Sequence, residues 1–425
     1  MEQTYTSKYF RFIIAWFYPI QIFVAYTKMR GYSVNKFIGI PLDILFIILS
    51  ITLIIKGLHS KSERRTHTAI YVWLGYVLCS FLLYAFYHVP IECYFDAMKI
   101  SVFPILFYFW GKDTRDTSDI FYKSVMITST VAMIIGFYLY IFTPDYYNQY
   151  LVYKSMKSMM NRPDSIDLIL HHNRFSSFLE SSYEVCFYAV SSMCMALAFL
   201  LNRRTHIKPI YLYVIVIVNL VASIICFQRI AMVVSVIYFV LFVFYGYRIN
   251  NNLLKKLSVL TIGVLFIGTS FTFFTNERTV RIAEQFTERI SEINFGYAMK
   301  ARTGQYEIVD LNSFDTILGK GMGSAGHSAR AHGLKGVTDG EFVKMLLEHG
   351  FIGLFIFAFL IINSFVKSLE NVRSNILEIF IVLFFLMACI GANALSMYFL
   401  TGIFWFSLGR MNNKAYRQRL YNEKT

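Results

Sequence analysis

The feature that most constrains this chain is a succession of apolar runs. They lie near residues 10–27, 37–56, 68–88, 97–111, 121–143, 183–201, 209–227, 229–247, 257–274, 347–366, 376–394 and 396–409. A helix needs roughly 20 apolar residues to cross a bilayer. The runs at 97–111 and 396–409 fall short of that length, so each is expected to be tilted, broken or merged with a neighbour. The pattern predicts an all-α polytopic membrane protein with about 12 transmembrane helices, 11 being the alternative. Composition agrees: 16% of residues are charged, against about 25% in a soluble globule. Disorder, a disulfide scaffold and a coiled coil are excluded by the same balance.

The net charge of +14 bears on orientation before nucleic-acid binding, because positive residues collect in short cytoplasmic loops. Basic residues fill the connections after the second, fourth, sixth, eighth and tenth runs, including Lys56, Arg64 and Arg65, Lys112 and Arg115, Arg203 and Arg204, Arg248 and Lys255, and Lys367 and Arg373. The tail adds Arg410, Lys414, Arg417, Arg419 and Lys424. Both termini are therefore expected in the cytoplasm. Lys28, Arg30 and Lys36, after the first run, break the pattern. The stretch Phe10 to Tyr26 lacks a small-residue cleavage site and reads as a first span, not a signal peptide.

With this orientation the two long connections, 144–182 and 275–346, share the outer side. Neither is of low complexity, and both are expected to contain short helices lying on the membrane. No internal repeat and no separate soluble domain interrupts residues 1–425, which read as one integral membrane domain. The six cysteines form no CxxC pair, so they read as small core residues, and no metal site is expected.

Candidate chemistry gathers in the outer segments. Arg229 stands in a turn otherwise almost free of polar residues, where an arginine must snorkel, pair or bind an anion. Arg174 precedes the sixth run. The second long loop carries Arg278, Arg281, Arg289 and Arg302 among its basic residues, and the guanidinium fork suits phosphate geometry. Glu277, Glu284, Glu288 and Glu292 lie at helical spacing from Arg281 and Arg289, which favours Arg302 as the anion ligand. Gly321-Met322-Gly323-Ser324-Ala325-Gly326 matches GxGxxG but lacks a strand–helix context, so a turn or a close backbone approach to a ligand explains it better. His327, His332 and Asp339 are candidate general bases. Asp339 has a rival role as the N-cap of the run beginning at Phe342.

Four segments resemble the bacterial O-antigen polymerase family (Wzy type), within the O-antigen polymerase and ligase superfamily. Asp339-Gly340, nine residues and Gly350-Phe351-Ile352-Gly353 resemble the ligase-type signature of His, a polar residue, nine residues and GxxG. Leu318 to Ser324 resembles the glycine-rich segment before that signature. Gln228-Arg229-Ile230-Ala231 resembles the arginine segment that opens a membrane helix, and Arg174 resembles the arginine ending the first outer loop. The likeness covers roughly residues 170–360. The aspartate at 339 departs from the ligase histidine and favours a polymerase.

The resemblance implies a GT-C-like, metal-independent glycosyltransferase of the inner membrane that needs no cofactor and faces the periplasm. Its substrates would be undecaprenyl-pyrophosphate-linked glycans, and its partners membrane lipids and a polysaccharide chain-length regulator, with no nucleic acid. Arg174, Arg229 and Arg302 would hold the pyrophosphate. Gly321, Gly323 and Ser324 would form a substrate loop. The base would be Asp339, His327 or His332. Tyr146, Tyr147, Tyr150 and Tyr153 are candidates for stacking on sugars. The alternatives are an O-antigen ligase that transfers glycan to lipid A core and, in a different class, a lipid-linked oligosaccharide flippase.

Overall fold

The computed structural model describes residues 2–32, 34–59, 68–113, 119–143, 146–147, 175–179, 181–202, 207–249, 315–326, 329, 332–334, 340–370, 372–398 and 400–413. Among them the chain is all helical, with no strand. Among the described residues five helices are long and apolar enough to cross a membrane, and four shorter apolar helices accompany them. The apolar run at 257–274 and most of both long connections lie outside the described residues. The helices fall into two compact units, one of residues 1–43 and 118–293, the other of residues 44–117 and 294–425.

The first unit contains α1 (Glu2–Met29), α6 (Ile120–Phe142), α7 (Ser182–Asn202), α8 (Pro209–Ile225) and α9 (Arg229–Ile249). α7 is the central helix, buried along nearly its whole length. Helices in a lipid environment gain little from apolar burial against one another and rely on close packing and hydroxyl or amide contacts. The seam around α7 is built that way. The Ser129 and Ser192 hydroxyls pair across α6 and α7, and the Asn219 amide on α8 donates to Thr130 Oγ1 at 2.8 Å. On α1, the Gln21 amide donates to Asp43 Oδ1 at 3.0 Å, giving two polar groups in apolar helices a mutual partner.

The second unit contains most of α2 (Ile40–His59), α3 (Thr68–Cys79), α4 (Ile91–Ser101), α5 (Leu106–Lys112), α10 (Glu341–Leu369), α11 (Val372–Ala388) and α12 (Thr401–Met411). The short fourth run is a broken element. α4 and α5 are separated by a 3₁₀ turn, Phe103–Ile105, that holds Pro104, and a proline cannot donate into a continuous helix. The last run is likewise cut down, because residues 389–398 form turns and bends before α12 begins. α5 and α12 approach through glycine. A Cβ on Gly111 would sit 2.0 Å from Phe406 O, and one on Gly409 would sit 2.2 Å from Tyr108 O. Phe46 stacks on Trp110 at 4.9 Å, and the Trp110 indole donates to Ser50 Oγ at 2.7 Å.

α10 is opened at Gly350, whose φ of 62° and ψ of −172° are non-helical and lie in a region essentially reserved for glycine. Open backbone at membrane depth is tolerated only where protein or a cavity covers it. Here the residues before it are covered by the glycine-rich segment. The Lys320 and Gly321 amides donate to Leu347 O and Glu348 O, each at 2.9 Å. Tyr76 Oη, from α3, lies 2.7 Å from His349 O.

Candidate functional site

The second unit concentrates polar chemistry where α4, the segment 318–326, the start of α10 and the turns at 389–398 meet. The glycine-rich segment is threaded tightly between them. Gly319, Gly321 and Gly323 all have positive φ. A Cβ at Gly323 would lie 2.3 Å from Cys93 O, and one at Gly319 2.5 Å from Glu348 O. The Met322 amide donates to Ser80 Oγ at 3.1 Å, and Tyr84 Oη donates to Met322 O. Ser324 turns its hydroxyl back onto Gly321 O at 2.7 Å. The GxGxxG match is therefore a close backbone approach between helices. Gly321, Gly323 and Ser324, expected as a substrate loop, are all buried, and Gly321 and Gly323 spend their glycine character on helix contacts.

His332 lies beside this segment and is exposed. Its Nε2 is 2.9 Å from Asp96 Oδ2 on α4. A carboxylate on one ring nitrogen fixes the tautomer and leaves Nδ1 as the acceptor, the arrangement that makes imidazole an effective general base. Asp96 was not expected from sequence; nothing local marks it, and 236 residues separate it from its partner. His327 and Asp339 lie outside the described residues. At the start of α10 the N-cap position belongs to Gly340, with no side-chain cap. The Glu341 amide instead donates to Cys389 O at 2.9 Å.

Below this surface, the first turns of α10 bury Glu341, Lys344, Glu348 and His349, each under 7% exposed. Lys344 Nζ is 3.5 Å from Glu341 Oε1 and 3.7 Å from Glu348 Oε2. It also donates to Ser396 Oγ at 2.5 Å. Glu341 accepts from Leu395 N at 3.0 Å and lies within 2.8 Å of Ser396 Oγ. A charge at the centre of a membrane helix costs roughly 2.5–3.5 kcal/mol on insertion scales, so buried ionisable groups at the head of one are expected to pair as these do. A sequence signal existed: three ionisable residues spaced i, i+3 and i+7 at the head of an otherwise apolar run.

The first unit holds Arg229, half-buried at the N-terminal end of α9. The turn before it is sharply set: Phe227 has φ 52°, and the Gln228 amide donates to Ser182 Oγ at 2.8 Å. Phe175 N donates to Ile225 O at 3.4 Å, so the end of the first long connection lies along this turn. Arg174 and Arg302 lie outside the described residues. Tyr147 is 1% exposed and its hydroxyl lies 3.1 Å from Ser176 Oγ. It is a core residue, not a sugar platform. Tyr146 is exposed, with the Arg30 guanidinium 5.6 Å from its ring centre. The Tyr26 hydroxyl accepts from that guanidinium at 3.1 Å, and this bond raises the arginine's already high pKa. Arg30, one of the basic residues that breaks the loop-charge pattern, is thus held by tyrosines. Tyr150 and Tyr153 lie outside the described residues.

No family model matches this chain, and no curated protein or solved structure matches it either.

Proposed function

We propose that the protein is an O-antigen polymerase of the Wzy type, a glycosyltransferase that joins undecaprenyl-pyrophosphate-linked repeat units on the periplasmic side of the inner membrane. The observation that carries this reading is the docking of the glycine-rich segment onto the opened turn of α10. The resemblance relates these two stretches only by their order in the sequence, and backbone hydrogen bonds from Lys320 and Gly321 to Leu347 and Glu348 join them physically. Beside them, the His332–Asp96 pair offers a base for the acceptor.

In this reaction the acceptor hydroxyl oxygen bonds to the donor's anomeric carbon as the carbon–oxygen bond to pyrophosphate breaks. The hydroxyl proton passes to His332 Nδ1 while Asp96 holds the Nε2 proton. Arg174, Arg229 and Arg302 stabilise the departing diphosphate, a role that rests on sequence alone. Electrophoresis of lipopolysaccharide from a deletion strain tests the assignment. One repeat per core is the polymerase outcome, and lipid-linked polymer with no repeats on core is the ligase outcome.

A second reading, a lipid-linked oligosaccharide flippase, is favoured by one observation. Buried ionisable groups on a broken membrane helix are a common basis for transport, and α10 buries Glu341, Lys344 and Glu348. Cytoplasmic accumulation of single units in the same strain would select it.

A further inference from the structure

The buried charges of α10 do not balance. If Glu341, Lys344 and Glu348 were all ionised, one negative charge would remain uncompensated in a site almost closed to water, which low-dielectric surroundings strongly disfavour. Among the described residues the surrounding groups do not cancel it, and the Lys99 ammonium on α4 lies 4.7 Å from the Tyr398 ring centre. Tyr84 and Cys93 face Glu348 from the segments before and within α4, and Cys389 faces Glu341 from the turn after α11; all three are neutral in their ordinary forms. Asp96, one helical turn from Cys93, adds negative charge. Lys320, whose amide docks on this turn, is exposed, with its ammonium 5.9 Å from the Tyr87 ring centre. His349 is packed edge-on against Trp73 at 5.4 Å, and its Nδ1 has no hydrogen-bond partner among the described residues. An imidazolium there would leave an N–H unsatisfied.

The two carboxyls differ in how closely their donors approach. Glu341 lies against Ser396 Oγ with both oxygens, at 2.8 and 3.0 Å, and accepts from the Leu395 amide. Such bonds favour an ionised carboxylate. The backbone donors to Glu348 are Ala325 N at 3.3 Å and, more weakly, Gly323 N, and its second oxygen is 3.7 Å from Lys344. That oxygen's side chain borders a cavity of about 10 Å³ shared with Lys344, Ser101, Asn393 and Ser396, roughly the space one water occupies. We propose that Glu348 is a proton-binding site whose carboxyl holds a proton that exchanges through this cavity, leaving Glu341 and Lys344 as the ion pair.

The proposal is independent of the glycosyl-transfer reading, because it is tested on the purified full-length protein without substrate. The infrared spectrum at neutral pH is expected to show a protonated-carboxyl C=O band that moves in D₂O. Glu348→Gln is expected to abolish that band and Glu341→Gln to keep it. Glu348→Asp, which retains a titratable group, is expected to keep the band at a shifted frequency. Absence of the band in the unaltered protein, or its survival unchanged in Glu348→Gln or Glu348→Asp, overturns the assignment.

Discussion

His332 Nε2 lies 2.9 Å from Asp96 Oδ2, joining a turn near the start of α10 to a helix that ends before Pro104. If this pair takes the acceptor proton, His332→Ala should lower the rate of polymer formation by roughly 10²–10⁴-fold, the usual worth of a positioned base. Asp96→Asn should lower kcat while leaving the acceptor KM near its normal value, because the imidazole stays in place with its tautomer no longer fixed. Steady-state kinetics with purified lipid-linked repeat units separates the two parameters. Normal kcat in both variants would return the pair to an ordinary surface contact.

The opened turn of α10 makes a separate claim on stability. Gly350→Ala must carry a side chain at φ 62° and places a Cβ 2.3 Å from Ile317 O. Strained backbone of this kind costs about 1–3 kcal/mol before the clash is counted. Gly75 is the internal control: it lies within α3, and a Cβ there meets nothing within 4 Å. Gly75→Ala should be neutral or stabilising by up to about 1 kcal/mol. Thermal unfolding in detergent should therefore show a lowered Tm for Gly350→Ala only.

Much of the helical layout was legible from hydropathy alone, since runs near 121–143, 183–201 and 209–227 coincide with α6, α7 and α8 to within a few residues. The fourth run stood out only by its shortness, and the structure locates its break at Pro104. What hydropathy could not carry was tertiary pairing. Asp96 and His332 are each unremarkable locally, and only the fold brings them within hydrogen-bond distance. Glu341, Lys344 and Glu348 were visible as a charged stripe, yet a run counted by apolar content begins after most of them and passes over the stripe. The glycine-rich segment was legible as a backbone feature but not in its use, because a positive φ says nothing about which carbonyl approaches.

The charged stripe gives a stability series whose order is set by pairing. Lys344→Met removes the cation that lies between two carboxyls, and breaking a buried pair from one side costs roughly 3–5 kcal/mol. Glu348→Gln should be nearly neutral, because a protonated carboxyl and an amide have similar size and no charge. Glu341→Gln should cost more, since it leaves the Lys344 ammonium without its ionised partner. Denaturation of the three variants under one condition gives the ranking. An equal cost for both glutamate changes would mean that both are ionised.

The glycine contacts between α5 and α12 should be as exacting as any charged site. Helices in lipid hold together mainly through how closely their backbones approach, and Gly111 and Gly409 set that approach against Phe406 O and Tyr108 O. Even alanine at either position must push the helices apart, since no real Cβ sits 2.0–2.2 Å from a carbonyl oxygen. The displacement would also disturb the Asn413 amide's bond to Lys112 O, now 2.8 Å, and the packing of α12 that buries Arg410 over the Phe406 ring at 5.2 Å. Gly111→Leu and Gly409→Leu are therefore expected to lower the amount of folded protein in the membrane severalfold. Phe359→Leu, on an exposed position of α10, should leave it unchanged. Fluorescence-detected size-exclusion chromatography of detergent extracts compares all three, and a monodisperse peak of normal height for either glycine variant would show that the two helices need no close contact.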